Sequence, residues 1–104
     1  LPRHEQVGEI TRQLKLIARE TGACVFVLAQ INRESEKGAD KKPQLHHLRE
    51  SGSIEADADV VFLLYMEEGA TTELQVLIPK NRHGIAGVAR VHFDKAHLRI
   101  LDRA

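Results

Sequence analysis

The sequence predicts an α/β fold in which parallel core strands are followed by an antiparallel hairpin, and three observations support this. Apolar residues recur at helical spacing in the first twenty positions. Continuous apolar runs at 23–29 and 60–65 are typical of strands that are covered on both faces in a parallel sheet. Alternating segments at 73–79 and 87–93 flank a short polar stretch, which predicts a hairpin.

The first element is predicted to be an amphipathic helix. Its apolar positions are Val7, Ile10, Leu14 and Ile17. We expect the helix to end near Gly22, because glycine adopts the left-handed conformation of a helix C-cap without steric cost. The apolar run that follows contains the only cysteine, Cys24. We therefore expect Cys24 to be a small core residue rather than a reactive thiol.

The middle of the chain is predicted to contain a loop, a short helical region and a second buried strand. Residues 32–44 are polar and charged, which predicts a loop. Residues 46–58 predict one or two short helical turns that are interrupted at 51–53, with Ser53 capping the second turn. The run that begins after this helix predicts a strand over 59–65, buried on both faces.

The C-terminal part is predicted to be a hairpin with an added edge strand. The expected order is a turn over 66–72, a strand over 73–79, a tight turn over 80–84, a strand over 87–93 and a short edge strand over 98–101. Pro79 has no backbone N–H to donate to a neighbouring strand. We therefore expect its position to be an edge or a bulge.

Composition limits the classes of function. The 104 residues include 15 basic and 15 acidic side chains, so the formal net charge is zero. A balanced charge gives no overall attraction to nucleic acid. Any DNA binding must therefore come from local clusters of basic residues and from repetition around an oligomer. The apolar runs are shorter than the roughly 18 residues of a membrane span, and we see no secretion signal. We therefore expect a cytoplasmic protein. The six histidines lack the ligand spacing of a closed zinc site, so no metal site is predicted.

Three polar blocks lie at the ends of predicted elements, where α/β proteins bind ligands. They are LAQINR at 28–33, LRESGSIEADAD at 48–59 and PKNRHG at 79–84. Together and in this order they resemble the DnaB family of bacterial replicative helicases, which are RecA-like hexameric motors. No GxxxxGK[ST] phosphate loop occurs in the sequence. The resemblance therefore implies that residues 1–104 are a partial RecA-like fold, the C-terminal segment of a helicase motor domain that lacks the Walker A half.

The resemblance implies roles for residues in each block. Gln30 corresponds to the γ-phosphate sensor at the end of a strand. Arg49, Glu50 and Gly52 correspond to the residues that contact single-stranded DNA inside the ring. Arg82 corresponds to an arginine finger that acts on the ATP of a neighbouring subunit, and Lys80 corresponds to its companion. Gln30, Lys80 and Arg82 are thus the catalytic candidates, and the last two also contact the nucleotide.

Each of these residues also has an ordinary structural interpretation. Gln30 could be a solvated residue at a strand end, and Arg49 and Glu50 could be a surface pair at a helix cap. Lys80 and Arg82 could simply keep a hairpin edge soluble. One argument favours a phosphate site at Lys80 and Arg82. Two cations on a rigid hairpin can reach a phosphate, and the planar guanidinium of arginine matches two phosphate oxygens at once.

The implied activity is ATP hydrolysis, with Mg²⁺, coupled to translocation on single-stranded DNA and duplex unwinding by a homohexamer. ATP and Mg²⁺ would be held mainly by residues absent from this chain, so the chain alone is not expected to hydrolyse ATP. A helicase loader and a primase are further candidate partners. Two alternatives stay open. One is a RecA-like regulatory or recombination ATPase, which would be expected to lack the LRESGSIE block. The other is a non-catalytic nucleic-acid or protein binding module derived from such an ATPase.

Overall fold

The computed structural model describes residues 3–30, 42–46, 48 and 52–102. The elements in chain order are α1 (Arg3–Thr21), α2 (Gly52–Asp57), β1 (Val60–Tyr65), β2 (Glu73–Asn81), β3 (Gly87–Asp94) and β4 (Arg99–Leu101). They fall into two compact units, Leu1–Ala58 and Asp59–Ala104. In the described part of the chain, no helix is long and apolar enough to cross a membrane.

Helix α1 confirms the predicted amphipathic helix and its C-cap. Gly22 has a φ of +72°, and its N–H donates to the carbonyl of Ala18 at 2.9 Å. The Thr21 hydroxyl donates to the carbonyl of Ile17 at 2.6 Å. The last turn of the helix is therefore closed by a glycine in the left-handed region, whose N–H satisfies one of the terminal carbonyls, and by a threonine hydroxyl that donates to a carbonyl one turn earlier.

Helix α2 is fixed to α1 by two hydrogen bonds at its last residue, Asp57. The Thr11 hydroxyl donates to the Asp57 carboxylate at 2.9 Å, and the Lys15 ammonium donates to the Asp57 carbonyl, also at 2.9 Å. A cation at a helix C-terminus is favoured by the helix dipole. The helix itself begins at Gly52. The capping role of Ser53 stays a prediction.

The apolar segment after α1 does not form the predicted strand. Residues 22–30 have no regular secondary structure and are all exposed, with Phe26 and Leu28 at 80% and 98% exposure. Cys24 is exposed as well, so the prediction of a buried core cysteine is wrong. A strand requires neighbours for its N–H and C=O groups. Among the described residues, no strand pairs with this segment.

The second unit is a four-stranded sheet in the order β1-β2-β3-β4, and all its pairings are antiparallel. The prediction of parallel core strands is therefore wrong for the described residues. Strand β1 alternates in burial: Val61 and Leu63 are buried, whereas Phe62 and Leu64 are exposed. Such alternation is typical of an antiparallel strand with one covered face, so the prediction that this strand is buried on both faces is also wrong.

The predicted hairpin is confirmed by the pairing of β2 with β3, which runs from Glu73 opposite His92 to Ile78 opposite Gly87. The predicted turn over 66–72 connects β1 and β2, and β4 confirms the short edge strand. The chain therefore builds its sheet from consecutive strands, each beside the one before it.

Pro79 lies at a bulge, one of the two positions that its missing N–H predicts. Val61 of β1 pairs with Lys80 of β2, and Leu63 pairs with Leu77. One residue of β1 therefore faces two residues of β2, Ile78 and Pro79. Pairing with β3 ends at Ile78, so Pro79 has no partner in either neighbouring strand. An inner strand thus accommodates proline without losing a ladder hydrogen bond.

Gln75 is a buried polar residue in the middle of β2. It is only 4% exposed, and its Oε1 atom has no hydrogen-bond partner within the described part of the chain. A buried amide oxygen without a partner loses its hydration and gains nothing in return. Gln75 is therefore expected to lower the stability of the sheet.

We predict that Gln75→Leu raises the free energy of unfolding by about 1 kcal/mol, because it removes an unsatisfied polar group at nearly constant volume. The measurement is urea unfolding followed by circular dichroism. Gln13→Leu makes the same chemical change at an exposed position of α1 and should change stability by less than about 0.5 kcal/mol. A destabilised Gln75→Leu variant would contradict the prediction.

Candidate functional site

Arg82 is the first residue of the connection between β2 and β3. Strand β2 ends at Asn81 and strand β3 begins at Gly87, so the connection consists of residues 82–86. All five are exposed. The hairpin therefore presents the predicted finger residue at its turn, carried by an inner strand of the sheet.

Two hydrogen bonds join Arg82 to Asp59, the residue immediately before β1. The backbone N–H of Arg82 donates to the Asp59 carbonyl at 2.8 Å. The Arg82 guanidinium donates through Nη1 to the Asp59 carboxylate at 2.5 Å. Both side chains remain accessible, at 38% for Arg82 and 55% for Asp59. The arginine is thus held at its backbone and at its charged end while staying open to solvent.

Lys80 is placed differently from its proposed companion. It lies within β2, half-buried and opposite Val61, and it follows directly after the bulge at Pro79. A bulge changes the direction of the side chains that follow it. Lys80 is therefore fixed by the sheet, whereas Arg82 belongs to the connection.

The shape of the connection depends on Asn81 and Gly84. The Gly84 N–H donates to the Asn81 carbonyl at 3.3 Å, and the Asn81 side-chain amide donates to the Ile85 carbonyl at 3.4 Å. A Cβ atom on Gly84 would lie 2.5 Å from the Asn81 amide nitrogen. A side chain at position 84 would therefore displace the Asn81 amide, which braces the turn beside Arg82.

The other predicted site residues belong to the first unit or lie outside the described residues. Gln30 is exposed and ends the segment that follows α1. Gly52 is the first residue of α2. Arg49 and Glu50 are outside the described residues, although Leu48 beside them is buried. The roles of all four remain predictions.

Asp59 is the site residue that sequence reasoning missed. It was counted in the second polar block, but its partner Arg82 is 23 positions away in sequence. The sequence did contain a signal for this contact. The acid stands just before the strand predicted over 59–65, and the arginine stands in the turn that follows the strand predicted over 73–79. If these two strands pair antiparallel, the start of the first lies beside the end of the second, and the two side chains can meet. The expectation of a parallel sheet hid this contact.

A second charged cluster occupies the turn between β3 and β4, at the other end of β3 from Arg82. His97 Nδ1 lies 2.8 Å from the Asp94 carboxylate, and the Arg99 guanidinium donates to the same carboxylate at 3.2 Å. The hydrogen bond with His97, and then that with Arg99, lower the pKa of Asp94 below its usual value. The cluster closes a turn in which Leu98 has a φ of +51°.

The histidines do not assemble a metal centre in the part of the chain that the structure describes. No group of three or more His, Cys, Asp or Glu side chains there is placed to hold a metal ion.

A family model and the sequences of known proteins indicate the same family for this chain. The family model described as DnaB-like helicase C terminal domain matches residues 2–102. The replicative DNA helicase DnaB of Leifsonia xyli subsp. xyli is 42% identical over 108 residues, covering 98% of this chain and 24% of that protein. The replicative DNA helicase DnaC of Bacillus subtilis (strain 168) is 40% identical over 101 residues, covering 91% and 22%. The chain spans about a quarter of the length of these relatives.

Solved structures share the fold. One of them, described as an ATPase domain, superposes with a TM-score of 0.91 at 34% identity, covering 96% of this chain and 37% of that one. A DnaB-like replicative helicase, whose structure was described with its interactions with primase, gives a TM-score of 0.92 at 34% identity, covering 97% and 26%.

We predict that Gly84→Ala destabilises the hairpin, because the added methyl group displaces the Asn81 amide from the Ile85 carbonyl. The expected loss is about 1 kcal/mol of unfolding free energy, the usual contribution of one hydrogen bond, measured by urea unfolding. Gly87→Ala is the matched control, since no atom lies within 4 Å of a Cβ atom built there. Equal stabilities for the two variants would show that Asn81 does not brace the turn.

Proposed function

Because this chain belongs to the DnaB-like helicase C-terminal domain family, we propose that it works as part of an ATP-dependent replicative DNA helicase. In this proposal a homohexamer couples ATP hydrolysis to translocation on single-stranded DNA and to duplex unwinding. The chain contributes residues that contact the nucleotide and the DNA. The single observation that carries the proposal is the exposed Arg82 at the turn of a hairpin in a chain that matches this family along nearly its whole length.

Arg82 is proposed as the arginine finger that acts on the nucleotide of a neighbouring subunit, with Lys80 beside it. A guanidinium stays charged and offers paired donors to phosphate oxygens, whereas an ammonium acts as a point charge. Both cations stabilise negative charge that develops on the transferring phosphoryl group. The support from this chain is the placement of Arg82 in an exposed connection whose base is fixed by a backbone hydrogen bond.

ATP and Mg²⁺ are the proposed cofactors, and Mg²⁺ neutralises charge on the β- and γ-phosphates. On this chain the residues that would touch the nucleotide are Arg82, Lys80 and Gln30. Cations on a hairpin and an amide that can both donate and accept suit phosphate oxygens. Gln30 is proposed to sense the γ-phosphate, and its exposed position is compatible with that role.

The proposed DNA contacts are Arg49, Glu50 and Gly52. Arginine supplies charged donors to phosphate, and glycine lets backbone N–H groups come close to it. Glu50 cannot attract phosphate and is proposed to position Arg49. The family assignment supports these three contacts. Gly52 also begins α2, a helix whose last residue is fixed to α1 by hydrogen bonds from Thr11 and Lys15.

The exposed segment over 22–30 supports a role within a larger assembly. Phe26 and Leu28 are apolar and almost fully accessible, which is unfavourable for a protein that works alone in water. Relatives of this family are about four times as long. We therefore place this segment in contact with other parts of the helicase. A loader and a primase are proposed partners, and a related helicase was described with primase. The cytoplasmic location stays a prediction.

We predict that Arg82→Ala slows ATP turnover about a thousandfold, because a finger contributes mainly in the transition state. The measurement uses the Bacillus subtilis relative with this chain in place of its matching segment, assayed for DNA-stimulated ATP hydrolysis. Arg90→Ala is the matched control, since Arg90 also forms an exposed ion pair, with Glu73 at 3.4 Å. It should change turnover by less than about twofold.

Mixed rings distinguish action in trans from action in cis. Subunits with Arg82→Ala are mixed with subunits that lack the phosphate-loop lysine of the relative. Partial recovery of turnover is expected, because a finger from one subunit then meets an intact phosphate loop in the next. Unchanged turnover in the Arg82→Ala chimera would refute the finger assignment and favour the alternative of a non-catalytic binding module.

We predict that Arg49→Ala weakens binding of single-stranded DNA by the same chimera about tenfold and lowers its salt dependence, since one phosphate contact per subunit is lost. The measurement is fluorescence anisotropy with a labelled oligonucleotide at low and moderate salt. Arg19→Ala removes the same charge from the exposed end of α1 and should bind like the unchanged protein. Equal weakening by both substitutions would indicate a general charge effect and no contact at Arg49.

A further inference from the structure

We infer that Asp59 is a positioning residue that holds the Arg82 guanidinium in a resting arrangement and releases it when a phosphate takes the place of the carboxylate. The inference rests on the proposed function, because it assumes that Arg82 meets a nucleotide phosphate. It adds a second residue to the finger and gives the finger two arrangements instead of one.

The contact between the two residues has a backbone part and a side-chain part. The Arg82 N–H donates to the Asp59 carbonyl at 2.8 Å, and the guanidinium donates to the Asp59 carboxylate at 2.5 Å. Only the second of these competes with a phosphate, because only the second uses the charged end of the arginine. The base of the finger can therefore stay in place while its tip changes partners.

The strand pairing fixes where the carboxylate stands. Asp59 is followed by Val60, which pairs with Asn81, the residue before Arg82. The two side chains thus start from the ends of adjacent, hydrogen-bonded strands. Asp59 does not reach Arg82 across a flexible loop, and its carboxylate is presented at a constant position to the guanidinium.

The ion pair between Asp59 and Arg82 is weak enough for a phosphate to replace the carboxylate. Both side chains are more than a third exposed, at 38% and 55%, and exposed ion pairs are weak because water screens them. A polyphosphate carries more charge and offers paired oxygens to the guanidinium. It can therefore displace the carboxylate, whereas in its absence the carboxylate keeps the arginine from sampling other positions.

The ion pair between Arg90 and Glu73 provides an internal comparison. It lies on the same sheet, its partners are similarly exposed, and its atoms are 3.4 Å apart. It belongs to the strands β2 and β3 themselves and is away from the connection over 82–86. Neutralising Glu73 changes the net charge of the chain as much as neutralising Asp59, without touching the finger.

The test measures binding of inorganic tripolyphosphate to the full chain by NMR titration, following the Arg82 Nε–Hε signal and the Arg82 backbone amide. Asp59→Asn should raise the affinity about threefold to fivefold, the range expected when a weak exposed competitor is removed. It should also shift the side-chain signal before any ligand is added. The backbone amide signal should change little, because the Asp59 carbonyl remains.

Three further variants complete the test. Glu73→Gln should raise the affinity by less than about twofold, through charge screened over distance. Asp59→Glu keeps the carboxylate and should bind like the unchanged chain, which also controls for folding. The double variant Asp59→Asn, Arg82→Ala should lose the gain.

The inference is overturned if Asp59→Asn gains no more affinity than Glu73→Gln, if neither it nor the unchanged chain binds tripolyphosphate through Arg82, or if the gain persists without Arg82. Failure of the proposed function has a separate signature. It would appear as full ATP turnover in the Arg82→Ala chimera, whatever Asp59 does to tripolyphosphate binding.

Discussion

Strand β2 is paired along both edges, and the arrangement of the candidate site depends on that double pairing. Its hydrogen bonds to β1 and β3 fix its register on both sides, and its buried residues Leu74 and Leu77 anchor it in the apolar part of the sheet. The connection that carries Arg82 leaves directly from this strand. A functional side chain on a short connection from a rigid element is held more closely than one on a long loop.

In the unit that contains the sheet, apolar burial stabilises the fold and polar contacts position the Arg82 side chain. Burial of Val61, Leu63 and Leu77 holds β1 against β2, and this is the strong, non-directional part of the stabilisation. The polar contacts around Arg82 are exposed and individually weak, yet they are directional. They contribute little to whether the sheet forms and much to where the guanidinium lies, so the site can rearrange without disturbing the fold.

Local signals predicted the local elements well. The helical spacing and Gly22 predicted α1 and its cap, alternation predicted the hairpin, and the missing N–H of Pro79 predicted an edge or a bulge. Signals that depend on neighbours failed. The run over 60–65 has the same composition whether its partner is parallel or antiparallel, and the run over 23–29 becomes a strand only beside another strand. The Asp59 contact with Arg82 was missed because it joins positions that only an antiparallel pairing of the two strands brings together, whereas the core strands were expected to be parallel.

The bulge at Pro79 gives β2 one residue more than a regular ladder opposite β1 would need. Beyond the bulge, Val61 pairs with Lys80, whereas a regular ladder continued from the Leu63 and Leu77 pair would place Val61 opposite Pro79. Deleting a single residue between Leu77 and Lys80 would remove the bulge and leave the lysine opposite Val61, on the same face of the sheet. A relative that lacks one residue in this stretch therefore keeps the lysine in place with a regular ladder. The connection over 82–86 lies outside β2, so its length does not change the face on which the lysine lies.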